Sequence, residues 1–360
     1  RSALHRNRSL NCFRVRLLPH FSVAPCVGLR ACEPAESNRA ALIERQAFIY
    51  MKAPPPPSFV LRAFEGRPSC LAFVHANDGG KEALCTGTDL GSIQEWDLVS
   101  FRAKSQYAGG SRAAVSSILN LSQKLLLSYH KDGLVQAWDQ RSNSILWRMK
   151  ASPTSLCRAI ASGDHNFIFF PAEDKPAILC YDVRYLPGKE AFQLNTAGAS
   201  EPGLCMTLHE TTGHLFAGYE GGHLFSWKLH ERENCVLYRP QNKPVLSCFS
   251  IGDGSAICGG VGGTLYYLDR EGTEVVSEIL HTEGVSSLAC CRDGKVLAAG
   301  RWDGGVSLIK KRKSKLSFCD TRLVGTLRFH ESAIQCLAAS GDGSVLASTS
   351  GHCSVAIWHI

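Results

Sequence analysis

Ala83-Leu-Cys-Thr-Gly-Thr-Asp-Leu-Gly91-Ser-Ile-Gln-Glu-Trp96-Asp97 reads as two strands around a turn. The first run is short and apolar. After Gly91 the residues alternate, which places Ile93 and Glu95 on one side of a sheet and Gln94 and Trp96 on the other. A ring the size of Trp96, buried, takes on the order of 150–250 Å² out of water. The strand therefore needs cover on the Trp96 side as well as on the Ile93 side.

The same form occurs six more times. A turn residue stands five positions before a large apolar anchor in Gly91/Trp96, Gly133/Trp138, Pro176/Tyr181, Gly222/Trp227, Gly263/Leu268, Gly304/Ile309 and Cys353/Trp358. Successive anchors are 42, 43, 46, 41, 41 and 49 residues apart. A period in the low forties with Trp-Asp endings marks a four-stranded propeller blade. Asp253-Gly254, Asp293-Gly294 and Asp342-Gly343 fall between apolar runs, where a hairpin joining a blade's first two strands needs positive φ. The expected fold is all-β, a seven-bladed propeller over residues 58–360. After Trp358 the chain has two more residues, one strand short of a full blade. Ser58-Phe-Val-Leu-Arg62 is a strand without a partner, so it is expected to complete the seventh blade and remove the open edge.

Composition agrees with this reading. Of 360 residues, 44% are hydrophobic and 20% charged, with 33 Gly and three Met, a balance that favours tight turns over a helical core. No apolar run reaches the roughly 18 residues needed to span a bilayer as a helix. The net charge is +7, but residues 1–50 hold eight Arg, no Lys and three Glu. That leaves 31 basic and 29 acidic side chains beyond residue 50, which gives no electrostatic case for nucleic acid. Membrane association is not expected either. Thirteen of the 16 Cys lie beyond residue 50, mostly in apolar runs and without a C-x-x-C pair. They read as small buried hydrophobes in a reducing compartment, the cytosol or nucleus.

Residues 1–50 lack a hydrophobic period and strand punctuation. Met51-Lys-Ala-Pro-Pro-Pro-Pro then forms a stiff lead-in. Residues 1–57 are read as a disordered extension, with 1–50 as translated upstream sequence. An Arg-rich mitochondrial leader is the competing reading, opposed by arginines that do not hold one helical face.

The Trp-Asp endings resemble the WD-repeat superfamily over residues 58–360. The resemblance implies a hydrogen-bonded set of His, Ser/Thr, Asp and Trp in each blade, which this chain matches only in part. The seventh blade offers His330, Thr349 and Trp358 with His352 in place of Asp. The sixth has His281 and Asp303 but Ile309 for Trp. The second has Asp132 and Trp138 without the His. Such sets are expected to be structural. More closely, Met51–Arg62, Ala217-Gly-Tyr-Glu-Gly221, Leu297-Ala-Ala-Gly-Arg-Trp-Asp303 and Phe329-His-Glu-Ser-Ala-Ile-Gln-Cys336 are similar to the G-protein β-subunit-like protein 1 family, related to the fungal ASTRA-associated protein. That resemblance implies a partner of the TTT co-chaperone that matures phosphatidylinositol-3-kinase-related kinases, in cytoplasm and nucleus.

A non-enzymatic protein-interaction scaffold is therefore expected, with no cofactor or metal. The alternative is a G-protein β-subunit proper. Residues 1–57 show no sustained heptads, however, and four prolines precede the propeller, so no γ-subunit is expected. A propeller hydrolase lacks motif support: no G-x-S-x-G, H-E-x-x-H or Walker loop occurs. Gly259-Gly-Val-Gly-Gly263 lies between two strands and reads as a tight turn. One exposed element stands out. Lys310, Lys311, Arg312, Lys313 and Lys315 begin a basic stretch running to Arg322, expected as a loop lengthening the sixth blade. It is read either as a partner-docking or nuclear-import element or as a solvated insertion.

Overall fold

The alternating runs pair with their sequence neighbours into antiparallel sheets, because each is joined to the next by a turn too short for any other arrangement. In the computed structural model the described residues are 54–360 without 75–81, 108–110, 155, 174, 197–202, 210–212, 231–234, 239–241, 251–254, 269–273, 292–294 and 312–320. The expected extension thus lies almost wholly outside them, as do the turns at Asp253-Gly254 and Asp293-Gly294. Among the described residues, 28 strands form seven four-stranded sheets. The first blade runs Pro68–Val74, Ala83–Thr88, Ile93–Asp97 and Arg102–Tyr107 from inner to outer strand. Blades two to six follow in chain order. The inner strands touch one another in sequence around the ring, and that of the seventh blade meets that of the first.

Closure takes the expected form. The seventh blade consists of Ile334–Ala339, Val345–Ser350, Val355–His359 and, as outer strand, Phe59–Leu61. Phe59 pairs with Ile357, Val60 with Ala356 and Leu61 with Val355. Phe59 also stacks on Phe101 of the first blade, with ring centroids 4.1 Å apart.

Seven apolar clusters fill the seven spaces between blades. Every anchor packs against the preceding blade: Trp96 beside Ala347 and Ile357, Trp138 beside Cys85 and Ile93, Trp227 beside Phe169 and Cys180, and Trp358 beside Ala298 and Val306. Tyr181, Leu268 and Ile309 occupy the equivalent sites. The alternation places Ile93 and Trp96 in different clusters, on opposite sides of their blade. Gly91, Gly133, Gly222, Gly263 and Gly304 adopt φ between +66° and +83°. At Gly91 a Cβ would lie 1.8 Å from the Ser111 carbonyl oxygen, so only glycine fits there. Most of the described cysteines are buried, none is in a disulfide, and Cys353 is exposed.

The indole bonds correct the expected polar sets. Trp358 Nε1 donates to Ser348 Oγ at 3.0 Å, and Ser348 contacts His330 Nε2 at 2.9 Å. The hydroxyl of the set is therefore Ser348. Thr349, one residue on, faces the other side of the sheet and donates to the Pro68 carbonyl of the first blade at 3.1 Å. His330 Nδ1 meets Ser350 Oγ at 3.1 Å, while His352 is exposed. The second blade does have an imidazole, His130, supplied from its second strand. Trp138 Nε1 donates to Ser128 Oγ at 2.9 Å, and Ser128 contacts His130 Nε2 at 3.1 Å. His130 Nδ1 lies 3.0 Å from the Ala113 carbonyl. A carbonyl can only accept, so Nδ1 carries the proton and Nε2 accepts from Ser128. In the sixth blade Asp303 pairs with Arg301, and His281 is exposed. The Ser–His contacts are buried together with the tryptophans, and their hydroxyls satisfy the indole N–H groups.

Two measurements test these packing arguments. Leu61 is 1% exposed in the cluster that closes the ring. Leu61→Ala is expected to lower unfolding free energy in urea by about 3 kcal/mol, whereas the exposed Arg62→Ala leaves the midpoint unchanged. Burial lowers the His330 pKa from 6.5 to about 4, against the opposing bond to Ser348; burial lowers that of His130 as well. The unfolded chain thus binds the extra proton first. The stability is fully present above about pH 6.5 and falls by on the order of 3 kcal/mol toward pH 4 for His330 alone. In His330→Asn the urea midpoint should drop less steeply over that interval; an unchanged slope would refute the assignment.

Candidate functional site

In the first, second, fifth and sixth blades the turn between the second and third strands meets the connection entering the inner strand, because backbone bonds tie them together. Asp89 N–H donates to Arg67 O at 2.9 Å, Lys131 N–H to Ala114 O at 2.9 Å and Trp302 N–H to Gly284 O at 3.0 Å. These segments share one end of the ring. Here residues from all seven blades line a cavity of about 580 Å³, the mouth of the central channel.

Short hydroxyl side chains stitch the lumen wall. Ser69 Oγ donates to Val115 O at 2.7 Å, linking blades one and two. Ser117 Oγ accepts from Ala159 N–H at 2.8 Å, linking two and three, and Ser287 Oγ accepts from Leu337 N–H at 3.0 Å, linking six and seven. These bonds satisfy backbone groups that the blade ladders leave over. Ser116 differs: its Oγ is buried without a hydrogen-bond partner among the described residues, and the residue borders the cavity.

Arg158 is the largest departure from this regular wall. It stands just before the inner strand of the third blade, yet its Nη1 donates to Cys336 Sγ and its Nη2 to Gln335 O, both at 2.8 Å, in the seventh blade. Those blades are not neighbours, so the guanidinium lies across the lumen. A thiol and a carbonyl neutralise little of its charge. Arg67 and Lys131 add two exposed cations at the rim. Among the described residues none of these three makes an ion pair with a carboxylate. Asp89 is the one acidic residue lining the cavity, and its Oδ1 accepts the Arg67 backbone N–H at 2.7 Å.

Apolar surface accompanies the charge. Leu156 lines the mouth 59% exposed, and Leu90 on the neighbouring turn is 60% exposed. Trp302 lines it as well, its ring fixed against Gly284, where a Cβ would come within 2.5 Å of it. Exposed aliphatic groups beside unneutralised cations suit a binding surface. Among the described residues no three metal-ligating side chains come together, and no helix is long and apolar enough to cross a membrane.

The basic stretch singled out in the sequence lies elsewhere. Lys310 and Lys311 belong to the strand Gly305–Lys311, paired with Arg322 and Thr321. They are ladder residues and not part of a loop: the strand continues past a register shift at Leu308/Ile309. Arg312, Lys313 and Lys315 lie outside the described residues. Sequence reading did not single out Arg67, Lys131, Arg158, Ser116 or Leu156. Only Trp302 fell within a quoted motif.

Comparison with known proteins places this geometry. The family described as "WD domain, G-beta repeat" matches residues 274–310 and 321–359. The chain is 25% identical over 326 residues to the mouse (Mus musculus) "Guanine nucleotide-binding protein subunit beta-like protein 1", covering 85% of this chain and 97% of that protein. It is 27% identical over 167 residues to "Restriction of telomere capping protein 1" of Eremothecium gossypii, spanning 39% of this chain and 12% of that relative. Among solved structures, a chain from the crystal structure of the mitotic checkpoint complex superposes with a TM-score of 0.72 at 15% identity, covering 97% of this chain and 99% of that one. The RRP9 WD40 repeats superpose with a TM-score of 0.71 at 15% identity, covering 85% and 99%. With seven sheets in a ring, a large apolar anchor at each repeat and these matches, the chain is a seven-bladed β-propeller that carries WD repeats over residues 274–310 and 321–359.

Proposed function

We propose that this propeller is a non-catalytic platform for other proteins, docked at the channel mouth, and that it assists maturation of phosphatidylinositol-3-kinase-related kinases with the TTT co-chaperone. The observation that carries the platform role is the mouth itself. Leu156 stands exposed beside Arg67, Lys131 and Arg158 in the cavity lining, on a frame whose described strands are all paired into four-stranded blades. A rigid frame with a mixed apolar and charged recess binds with little reorganisation. Propellers of this family generally bind other proteins. The Ser–His pairs that resemble catalytic groups are buried, which favours binding over chemistry.

The kinase-maturation role is supported by the likeness to the mouse protein along nearly its whole length and by the motifs quoted above. The printed name of that relative also raises heterotrimeric signalling. Against it stands the Pro54–Pro57 run, directly before the ring-closing strand.

Affinity purification of the full chain followed by mass spectrometry tests the reading. Co-chaperone subunits and large kinases are expected to co-purify and to be depleted several-fold by Leu156→Asp, a change at an exposed position that leaves the thermal melt intact. Recovery of a γ-subunit in their place would support the signalling reading. Recovery of no protein partner would overturn the platform.

A further inference from the structure

We propose that the channel mouth is an acidic-peptide site, in which a Glu or Asp side chain of a partner enters the lumen onto Arg158 and Ser116. Its apolar neighbours in the peptide would pack on Leu156 and Trp302. This rests on the docking reading above and adds the chemistry of the ligand. Three observations carry it. The cavity lining holds three cations, Arg67, Lys131 and Arg158, against the single carboxylate Asp89. Arg158 spends its bonds on a thiol and a carbonyl, so a planar donor group with further N–H groups borders the cavity without an anion. A carboxylate is the group such a fork binds best. The buried Ser116 hydroxyl, in a residue that borders the same cavity, has no partner among the described residues. Buried hydroxyls are nearly always satisfied, and a ligand oxygen would complete this one.

A peptide fits better than nucleic acid. A phosphate backbone needs a basic stripe along an open surface; here the cations ring a recess of about 580 Å³ that Leu156, Leu204, Leu246 and Trp302 also line. A free phosphate would use the cations but leave the exposed Leu156 uncovered.

The test uses the full chain and a fluorescein-labelled dodecapeptide alternating Glu with Leu and Phe, followed by fluorescence anisotropy. The probe is expected to bind, to weaken as salt rises, and to lose about tenfold in affinity with Arg67→Glu or Lys131→Glu. Both residues are exposed, so folding is preserved. Arg158→Gln and Ser116→Ala should each weaken binding at unchanged thermal midpoint; should Arg158→Gln unfold, the rim variants decide. Lys124→Glu makes the same charge change at the opposite end and should have no effect. Equal binding of the Lys-for-Glu peptide, equal loss with Lys124→Glu, or no loss in the rim variants would overturn the site. So would displacement of the probe by millimolar inorganic phosphate, or preferential binding of single-stranded oligouridylate. Protein partners that still co-purify with Lys131→Glu would sink the acidic pocket while leaving the platform standing. The absence of any partner from the unmutated chain would count against the platform itself.

Discussion

The structure depends on one constraint: a blade in this chain has two apolar faces and no means of covering either alone. Each anchor covers the face of the preceding blade, so every sheet needs a neighbour on both sides. A row of such sheets would end in two bare faces; a ring has none. The pairing of Phe59–Leu61 with Val355–Ile357 is where that ring is held shut. Only three residues pair there, but Leu61 also sits among Leu84, Trp96 and Val355, joining the last sheet to the first.

The repeat in sequence and the blade in space are out of phase. The family match at 321–359 begins with the outer strand of the sixth blade, Thr321–Arg328, and continues through three strands of the seventh. One sequence repeat therefore spans two blades and carries its own inter-blade contact. The phase shift also means that this repeat is complete while the seventh blade has only three strands from it, and the fourth, Phe59–Leu61, comes from the segment before the first blade.

The fold was legible because it rests on anchors and turns that recur at a nearly constant period. The polar sets were legible only in part, for a geometric reason. Trp358 pairs with Leu346, so the hydroxyl sharing its face is two residues further along, at Ser348; Thr349 falls on the other face. The same offset selects Thr86 for Trp96 and Ser128 for Trp138. A hydroxyl ten residues before the tryptophan is thus a signal the sequence does carry. Where it is absent, as at Ala217 before Trp227, the indole turns to the Asn195 carbonyl of the preceding blade at 3.2 Å. Where the anchor is Leu268 or Ile309, no N–H needs a partner, and Cys258 and Ala299 stand in that position.

The channel mouth was not legible, because it is assembled from a few residues of every blade and those sets are separated by whole repeats. Arg158 and Cys336 are 178 residues apart, and no periodicity tells which residue before an inner strand reaches the lumen. Charge counting along the chain could not find it for a related reason. It directs attention to clusters along the chain, such as Lys310–Lys313, whose neighbours there are one another. A cation matters for binding when its neighbours in space leave it unneutralised, and the lumen meets that condition with a single arginine facing a thiol and a carbonyl. The regular hydroxyl stitching around it sharpens the contrast. Ser69, Ser117 and Ser287 are each bound to the adjacent blade, whereas among the described residues Ser116 Oγ has no such bond and Arg158 meets a thiol and a carbonyl in place of a carboxylate; those two side chains are the ones the proposed ligand would complete.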